Sequence, residues 1–388
     1  KPKKPKKPKP PKKWCAAVGM VANRDDCVPA LVEMGILKKY QPCLLKEFLG
    51  EFHFLGNAQR TNFEFVPPPS AQMIRSLLVE HCVLPLAQTE IRQKAPETLT
   101  ARSLLLYGPK GSGKSMLARA IATEAGATFF DISPSVIEGK SVAPAKTGSA
   151  LLIYKVFLCA QDMAPSVVYC DDVDQVFQIV NKKRKAAADA PVRIKQVMSK
   201  AIEQVKRGPE ATEFDRILFI GCSSKPYSDT VDTKELFNAF DEKVWISYPE
   251  YGSRVVLWQQ FMDTSVQEHL KTLLGPQAQS EPRPHVVAMP LAGISTLARL
   301  SEGYTAGSIK QTIQRVLTIR RVQQMSNRPL RVQEFLGPLS RTAYCWPKDF
   351  DDFQKFDFEA TGEKALKEAR DRDAERNEAE AAKNQKKK

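Results

Sequence analysis

The chain has 388 residues, of which 43% are hydrophobic and 8% aromatic, so it is long enough for two packed domains. Its net charge of +14 includes eight lysines within the first 13 residues, and the remainder is close to charge balance. This distribution excludes the basic fold surface that nucleic-acid-binding domains present. Eight cysteines without C-x-x-C pairs or zinc spacing favour a cytosolic-type compartment, and the absence of long apolar runs excludes a membrane-spanning protein.

The first 70 residues are predicted to form an arm and an extended segment. Residues 1–13 alternate Lys and Pro, which favours an extended polyproline-like form. This basic head is either a solvated linker or an arm that binds an acidic surface, such as tubulin tails or nucleic-acid phosphates. Residues 14–70 hold short apolar pieces broken by prolines, which predict a segment laid against a partner or a domain, with Ser70 as a helix N-cap. Because the chain begins with Lys rather than Met, we expect a longer polypeptide.

Strands and helices are then predicted to alternate. Helical spacing over 71–88 is interrupted by Pro85, which ends or kinks a helix. The predicted strands are 103–107, 128–132, 166–170, 217–222 and 243–246, and the predicted helices are 114–125, 149–161, 190–205 and 233–240. Such alternation indicates an α/β fold with a parallel sheet, whose ligands bind at the carboxyl ends of the strands.

After residue 249 the pattern becomes helical. The predicted helices are 253–261, 266–274, 293–301 and 308–324, with a proline-rich loop at 275–290. The aromatic stretch 343–361 either wraps back onto the fold or docks a partner, and the charged stretch 363–388 is a solvated helix or a disordered tail. We therefore expect four regions: an arm and extended segment at 1–70, a large nucleotide-binding domain at 71–249, a small helical domain at 250–335 and a C-terminal segment at 336–388.

A phosphate-binding loop follows the first predicted strand. The sequence from Gly108 to Ser115 fits G-x-x-x-x-G-K-[ST], and a helical pattern begins directly after it. In such a loop the backbone N–H groups and the helix dipole bind phosphate, Lys114 reaches the outer phosphates and Ser115 holds Mg²⁺. We expect ATP or ADP with Mg²⁺ on these residues: Gly108, Pro109, Lys110, Gly111, Ser112, Gly113, Lys114, Ser115 and Met116.

An acidic segment follows the third predicted strand. Asp171 stands at the strand end, where a second Mg²⁺ ligand is needed, and Asp172 stands where a catalytic base belongs. An acidic loop after any buried strand is the alternative. The position of the segment, two strands after the phosphate loop, favours the metal site.

These residues carry a resemblance to the AAA ATPases, especially to the clade of katanin and spastin, over residues 72–324. The matching segments are 83–86, the phosphate loop, 129–133, the Asp-Asp-x-Asp segment at 171–174 and 303–309. The resemblance implies a P-loop AAA module, with a parallel sheet flanked by helices and a small helical lid domain, between extended N- and C-terminal segments.

Departures from the family pattern fall on the hydrolytic positions. The catalytic Glu of the family corresponds to Asp172, its sensor Asn to Ser224 and its two arginine fingers to Ala239 and Glu242. The pore-loop aromatic corresponds to Ser141, and the second pore loop to the basic stretch 180–190. Intersubunit arginine fingers accelerate hydrolysis about 10³- to 10⁵-fold. The resemblance therefore implies nucleotide binding with at most slow hydrolysis, and it implies that a homohexamer of this chain could not provide the fingers.

This combination resembles the IQ-motif and AAA-domain subunits of the nexin-dynein regulatory complex of motile cilia. The similarity includes residues 131–140, 165–168, 249–258 and 328–335. It implies other subunits of that complex and the tubulin of the doublet microtubule as partners, with the basic head on acidic tubulin tails. The implied location is the cytoplasm and cytoskeleton, in the axoneme of a cilium or flagellum. The IQ motif itself is absent, because the string that begins at Ile313 lacks the expected Arg.

Two other functions remain as alternatives. An active AAA ATPase that acts on microtubules or proteins would need arginine fingers from another subunit. A nucleic-acid-linked ATPase is favoured only by the basic head, and we do not expect nucleic acid or membrane as a partner.

Overall fold

A five-stranded parallel sheet lies at the centre of the described part of the chain. The computed structural model describes residues 27–51, 68–94, 100–138, 148–179, 194–206, 216–274, 289–325 and 327–385. The strands are β1 (Ser103–Tyr107), β2 (Thr128–Asp131), β3 (Ser166–Cys170), β4 (Ile217–Ser223) and β5 (Glu242–Trp245). Their order is β2-β3-β4-β1-β5, with every neighbouring pair parallel. The predicted fold class is confirmed, and each predicted strand is found within about one residue of its expected bounds.

Helices surround this sheet and continue beyond it. The α/β part contains α1 (Cys27–Glu33), α2 (Ala71–Leu78), α3 (Leu84–Ala87), α4 (Thr89–Lys94), α5 (Lys114–Glu124), α6 (Pro134–Ile137), α7 (Gly148–Asp162), α8 (Lys195–Lys206) and α9 (Thr233–Ala239). The helical part contains α10 (Tyr251–Leu274), α11 (Leu291–Leu300), α12 (Ala306–Val316), α13 (Ile319–Gln323), α14 (Gln333–Ser340), α15 (Pro347–Ala360) and α16 (Glu363–Gln385). The predicted loop at 275–290 lies mostly outside the described residues, as does the basic head.

The sheet is buried on both faces, as expected for parallel strands. Successive residues of β1 alternate between two cores, with Leu104 and Leu106 in one and Leu105 and Tyr107 in the other. The first core includes the apolar side of α5, so the helix after the phosphate loop is fixed against the sheet. Both cores end at the carboxyl edge of the sheet, where the candidate site lies.

The helix over 71–87 shows how the chain accommodates Pro85. Ser70 caps its start by accepting a hydrogen bond from the Met73 N–H, as predicted. A π turn over Val79–Val83 then joins α2 to α3. Proline disrupts the hydrogen bond to the carbonyl four residues earlier, and the carbonyl of His81 instead accepts from the Ala101 N–H (3.0 Å). The proline therefore changes the helix type without ending the helix.

The prediction of two helices at 253–261 and 266–274 is wrong, because α10 runs through without a break. Trp258, Met262 and Val266 recur at four-residue spacing and are all buried in the core of the helical part. The Thr264 hydroxyl, which local propensity would place in a cap, donates to the carbonyl of Gln260 (2.8 Å). Burial of one apolar face thus overrides the turn signal of the polar residues between the two predicted helices.

The prediction of one helix over 308–324 is also wrong. α12 ends before Leu317, whose ψ of 71° is not helical. The side chain of Leu317 is buried. Thr318 then caps α13 by accepting a hydrogen bond from the Arg321 N–H. A side-chain cap in mid-sequence therefore starts a new helix where periodicity alone indicated continuation.

The C-terminal aromatic stretch wraps back onto the α/β part. α15 places Phe350 against Trp245 and Phe356 against Tyr107, with ring centroids 5.3 and 5.0 Å apart. The Tyr107 hydroxyl donates to the Asp357 carboxylate. The charged stretch after it is helical over Glu363–Gln385, which decides between the two forms expected from the sequence.

Two of the cysteines are placed as expected from the sequence. Cys170 and Cys222 are buried free thiols in strands, as predicted. Among the described helices, none combines the length and the apolar character needed to cross a bilayer.

Replacing Asp357 by Asn is expected to stabilise the protein at neutral pH. Burial raises the pKa of Asp357 to about 6, above the usual value near 4. Between about pH 4 and 6 the folded chain therefore binds more protons than the unfolded chain, and stability falls as pH rises. Asn keeps an acceptor for Tyr107 without the buried charge, so urea unfolding at pH 7 should show a gain of about 1–3 kcal/mol. Asp351→Asn, at an exposed position of the same helix, is the control, and equal effects of the two changes would contradict the prediction.

Candidate functional site

The predicted phosphate loop lies between the carboxyl end of β1 and the start of α5. Gly111 has φ of 82° and Gly113 has φ of 105°, so both occupy a region that favours glycine. A Cβ on Gly113 would lie 3.0 Å from the ring of Phe48, and one on Gly111 would lie 2.7 Å from the Thr305 hydroxyl. The two glycines are therefore required both by backbone conformation and by close neighbours.

The ammonium of Lys114 lies inside the loop. Lys114 is only 6% exposed, and its Nζ donates to the carbonyl oxygens of Gly108 (2.7 Å) and Pro109 (2.8 Å). Burial lowers the pKa of Lys114, whereas the nearby carboxylates of Asp171, Asp172 and Asp174 act to raise it. The loop lysine and the predicted acidic segment are thus brought together, as expected.

The hydroxyl of Ser112 is an orphaned polar group in the loop. Its Oγ is buried and has no hydrogen-bond partner among the described residues. Leaving such a group unpaired costs about 1–3 kcal/mol, so its presence fits a loop whose ligand is an oxyanion. Ser115 is the second residue of α5. The carbonyl of the next residue, Met116, accepts a hydrogen bond from the Cys43 thiol (3.3 Å). The loop residues present therefore fit a bound phosphate.

Asp171 and Asp172 are held by backbone hydrogen bonds at the end of β3. The Asp171 N–H donates to the Ser133 hydroxyl (2.9 Å), and the Asp172 N–H donates to the Asp171 carboxylate (3.0 Å). Asp172 has φ of 44°, a left-handed conformation that Asp tolerates better than most residues. Both side chains are half-buried at the edge of the loop, where carboxylates can ligate a cation or orient water.

The pairing of Ser223 with Asp174 was not predicted from the sequence. The buried Ser223 hydroxyl, at the end of β4, donates to the Asp174 carboxylate (2.9 Å), and desolvation raises the pKa of Asp174 while this bond lowers it. A buried serine that ends an apolar strand beside the acidic segment was the available signal. Ser224, the predicted sensor, follows Ser223 as a half-exposed residue just beyond the strand.

The helical part touches the phosphate loop directly. The Gly307 N–H, in the first turn of α12, donates to the carbonyl of Gly111 (2.9 Å). A Cβ on Gly307 would lie 2.9 Å from that carbonyl oxygen, so only glycine permits the approach. Thr305 caps α12 by accepting from the Ser308 N–H. The loop is thus bordered by backbone from a segment almost 200 positions later in the chain.

A cleft opens beside Ser112 between the α/β and helical parts. The cleft is lined by Phe48, by Ile74 of α2, by Tyr248 after β5 and by Leu257 of α10. Most of the exposed lining surface is apolar, and the polar groups in the lining include the carboxylates of Glu51 and Glu250 and the hydroxyls of Ser112 and Ser253. The cleft adjoins the phosphate loop, so one ligand can reach both.

The positions that the resemblance assigns to arginine fingers have other contacts. The Glu242 carboxylate lies 3.0 Å from Nδ1 of His81, and Ala239 is 8% exposed in the core. The predicted pore residue Ser141 and the basic stretch 180–190 lie outside the described residues.

Comparisons with known proteins support this fold. Residues 104–248 match the sequence model of AAA, the "ATPase family associated with various cellular activities". The chain is 30% identical to Dynein regulatory complex protein 11 of Mus musculus over 84% of its own length and 35% of that protein. It is 28% identical to spastin of Gallus gallus, over 72% of this chain and 43% of that protein. The crystal structure of the FIGL-1 AAA domain in complex with ADP superposes with a TM-score of 0.55 at 19% identity, covering 89% of this chain and 98% of that one.

The parallel sheet and the loop at its carboxyl edge define a P-loop fold of the α/β class. More particularly, the chain carries a domain of the AAA ATPase family. It spans about a third to a half of the length of the curated relatives that it matches.

Replacing Gly113 by Ala is expected to destabilise the fold more than replacing Gly126. Both glycines have positive φ, but a Cβ on Gly126 meets nothing within 4 Å, whereas one on Gly113 meets the Phe48 ring. We expect a loss of about 1 kcal/mol for Gly126→Ala and of about 2 kcal/mol or more for Gly113→Ala. Urea unfolding of the two variants measures the difference. Equal losses would show that Phe48 does not restrict the loop.

Proposed function

We propose that this chain is a nucleotide-binding AAA scaffold subunit with impaired hydrolysis. Its complex is the nexin-dynein regulatory complex of motile cilia or flagella, where it helps to hold the inter-doublet linker and to regulate dynein-driven motility. The observation that carries the proposal is a phosphate loop whose lysine is in place, in a chain whose Glu242, at a position where the family has an arginine finger, pairs with His81. The binding half of the site is retained, and the activating half is changed.

The ligand we propose is ATP or ADP with Mg²⁺. Phosphates would lie against the loop, where Lys114 and the orphaned Ser112 hydroxyl provide donors. Ser115 and Asp171 would hold Mg²⁺, which supplies charge neutralisation to the outer phosphates. The base would occupy the adjoining apolar cleft. Support also comes from the ADP complex of the FIGL-1 AAA domain, which shares the fold.

Slow hydrolysis follows from the residues at the catalytic positions. Asp172 is one methylene shorter than Glu, which withdraws the carboxylate by about 1.5 Å from the place where it would orient water. A displacement of this order costs about a hundredfold in rate. Ser224 reaches less far than an Asn sensor, and neither Ala239 nor Glu242 can supply a finger.

The proposed partners follow from the relatives. The mouse protein named above belongs by its name to the dynein regulatory complex, and spastin is a relative over a shorter part of this chain. Other subunits of that complex and doublet tubulin are therefore the proposed partners, in the axoneme. The basic head would lie on acidic tubulin tails through charge complementarity.

We also propose the domain division at residues 71–249 and 250–335, between the arm at 1–70 and the C-terminal segment at 336–388. The helical part has its own apolar core, which includes Leu257, Trp258 and Phe335, and Leu339, four residues past the proposed boundary, packs in the same core. A separate core of this kind is typical of a lid that moves against a larger domain.

Lys114→Ala is expected to abolish most nucleotide binding. The buried ammonium supplies charge-assisted hydrogen bonds to phosphate, and their loss should weaken ADP affinity by about a hundredfold or more. Isothermal titration with MgADP measures the change. Lys200→Ala, which removes the same charge from an exposed position on α8, is the control and should leave the affinity unchanged. If the two variants bound ADP with equal affinity, the loop would not be the nucleotide-binding site.

The purified chain is expected to hydrolyse ATP below about 0.01 s⁻¹, because ordinary turnover near 10 s⁻¹ falls by at least about 10³ without fingers. Asp172→Glu should raise this rate by about tenfold or more, since the longer carboxylate reaches the water, and Asp172→Asn should lower it. Single-turnover hydrolysis of labelled ATP provides the measurement. Turnover of several per second in the wild-type chain alone would favour the alternative, an active AAA ATPase that acts on microtubules or proteins.

A further inference from the structure

The segment 36–51, which we call the N-terminal strap, lies outside the residues that match the AAA family. Leu37 forms an antiparallel bridge with Phe130 on β2, the edge strand of the sheet. The carbonyl of Ile36 accepts a hydrogen bond from the Asp131 N–H (2.8 Å), and Ile36 itself is buried. The strap therefore covers an edge that would otherwise leave backbone groups unpaired.

A chain of polar contacts leads from the strap into the nucleotide site. Nζ of Lys38 lies 3.0 Å from Oδ2 of Asp131. Oδ1 of Asp131 accepts from both the hydroxyl (2.6 Å) and the N–H (3.1 Å) of Ser133. The Ser133 hydroxyl in turn accepts from the N–H of Asp171 (2.9 Å). Lys38 is thus connected through two side chains to the backbone of the proposed Mg²⁺ ligand.

The Ser133 hydroxyl donates one hydrogen bond and accepts another, and these directions decide what the network holds in place. Because the Ser133 hydroxyl donates its proton to Asp131, its lone pairs are left for the Asp171 N–H. The Asp131 carboxylate fixes the orientation of the Ser133 hydroxyl by accepting its proton. Asp131 is only 8% exposed, so the charge of Lys38 compensates for the desolvation of this carboxylate. The backbone of Asp171 is thus held by Ser133, and the network that orients Ser133 ends at Lys38, outside the family match.

The same strap continues to the other side of the site. The backbone of Leu45 donates to the Glu124 carboxylate at the end of α5 (2.7 Å), and Phe48 lies against Gly113 of the phosphate loop. The carbonyl of Phe48 accepts from the Arg75 guanidinium. Strap contacts therefore reach both the acidic side and the phosphate side of one site.

We propose that Lys38, Asp131 and Ser133 are positioning residues that align Asp171 for Mg²⁺, so that the strap sets the metal dependence of nucleotide binding. The proposal rests on the proposed Mg²⁺-nucleotide function. It assigns to a segment upstream of the AAA domain a part in the site itself, and it separates metal-dependent affinity from affinity for the nucleotide alone.

The test compares ADP affinity by isothermal titration in excess Mg²⁺ and in EDTA. Lys38→Met should weaken binding about two- to fivefold in Mg²⁺ and leave it unchanged in EDTA. Ser133→Ala, which removes the acceptor for the Asp171 N–H, should weaken binding about five- to tenfold in Mg²⁺ only. The control is Lys39→Met, the neighbouring exposed lysine, for which the described part of the chain shows no ion pair.

A double-mutant cycle adds a readout that a merely structural pair would not give. Asp131→Asn keeps an acceptor for Ser133 but removes the ion pair, so it should match Lys38→Met, and the double variant should be no weaker than either. Lys38 is half-exposed, so these variants are expected to fold even if Ser133→Ala does not.

The outcomes are separable. A Lys38→Met variant that matches Lys39→Met in Mg²⁺, or losses of equal size in Mg²⁺ and EDTA, would overturn the positioning role while leaving nucleotide binding intact. A wild-type chain that binds ADP under neither condition would overturn the proposed function, and the inference with it.

Discussion

The burial of the Lys114 ammonium is the interaction on which the rest of the nucleotide site depends. A buried charge is tolerated only with partners, and the chain supplies them as two loop carbonyls and three carboxylates from the end of β3. Parallel strands make this possible, because the carboxyl ends of β1 and β3 face the same edge of the sheet. The lysine, the loop and the acidic segment are therefore one electrostatic unit.

The loop is also restrained from two sides by segments outside the α/β core. Phe48 of the strap lies against Gly113, and Gly307 of the helical part donates to the carbonyl of Gly111. Each approach needs a glycine, so the glycines serve packing as well as phosphate access. A displacement of the strap or of the helical part would change the space around the loop. Segments before and after the α/β core are therefore both coupled to the same site.

The strands and the phosphate loop could be predicted because their signals are local. β1 is a five-residue apolar run followed directly by a loop motif, and both features are contiguous in sequence. The errors arose where distant contacts decide: burial of Met262 carried α10 through a polar stretch, and the Thr318 cap ended a periodic helix. The pairing of Ser223 with Asp174 and of Lys38 with Asp131 joins residues far apart in sequence, and no local pattern encodes such pairs.

Glu242 occupies a position that the resemblance assigns to an arginine finger. A carboxylate at an intersubunit position would repel the phosphates of a neighbouring nucleotide, whereas the family's arginine attracts them. In this chain the carboxylate is turned to His81, within the same subunit, and the neighbouring Ala239 is packed into the core. Both positions therefore make their described contacts within the chain itself. Under the proposed function, nucleotide binding would stabilise the fold through mass action, without a cycle of hydrolysis.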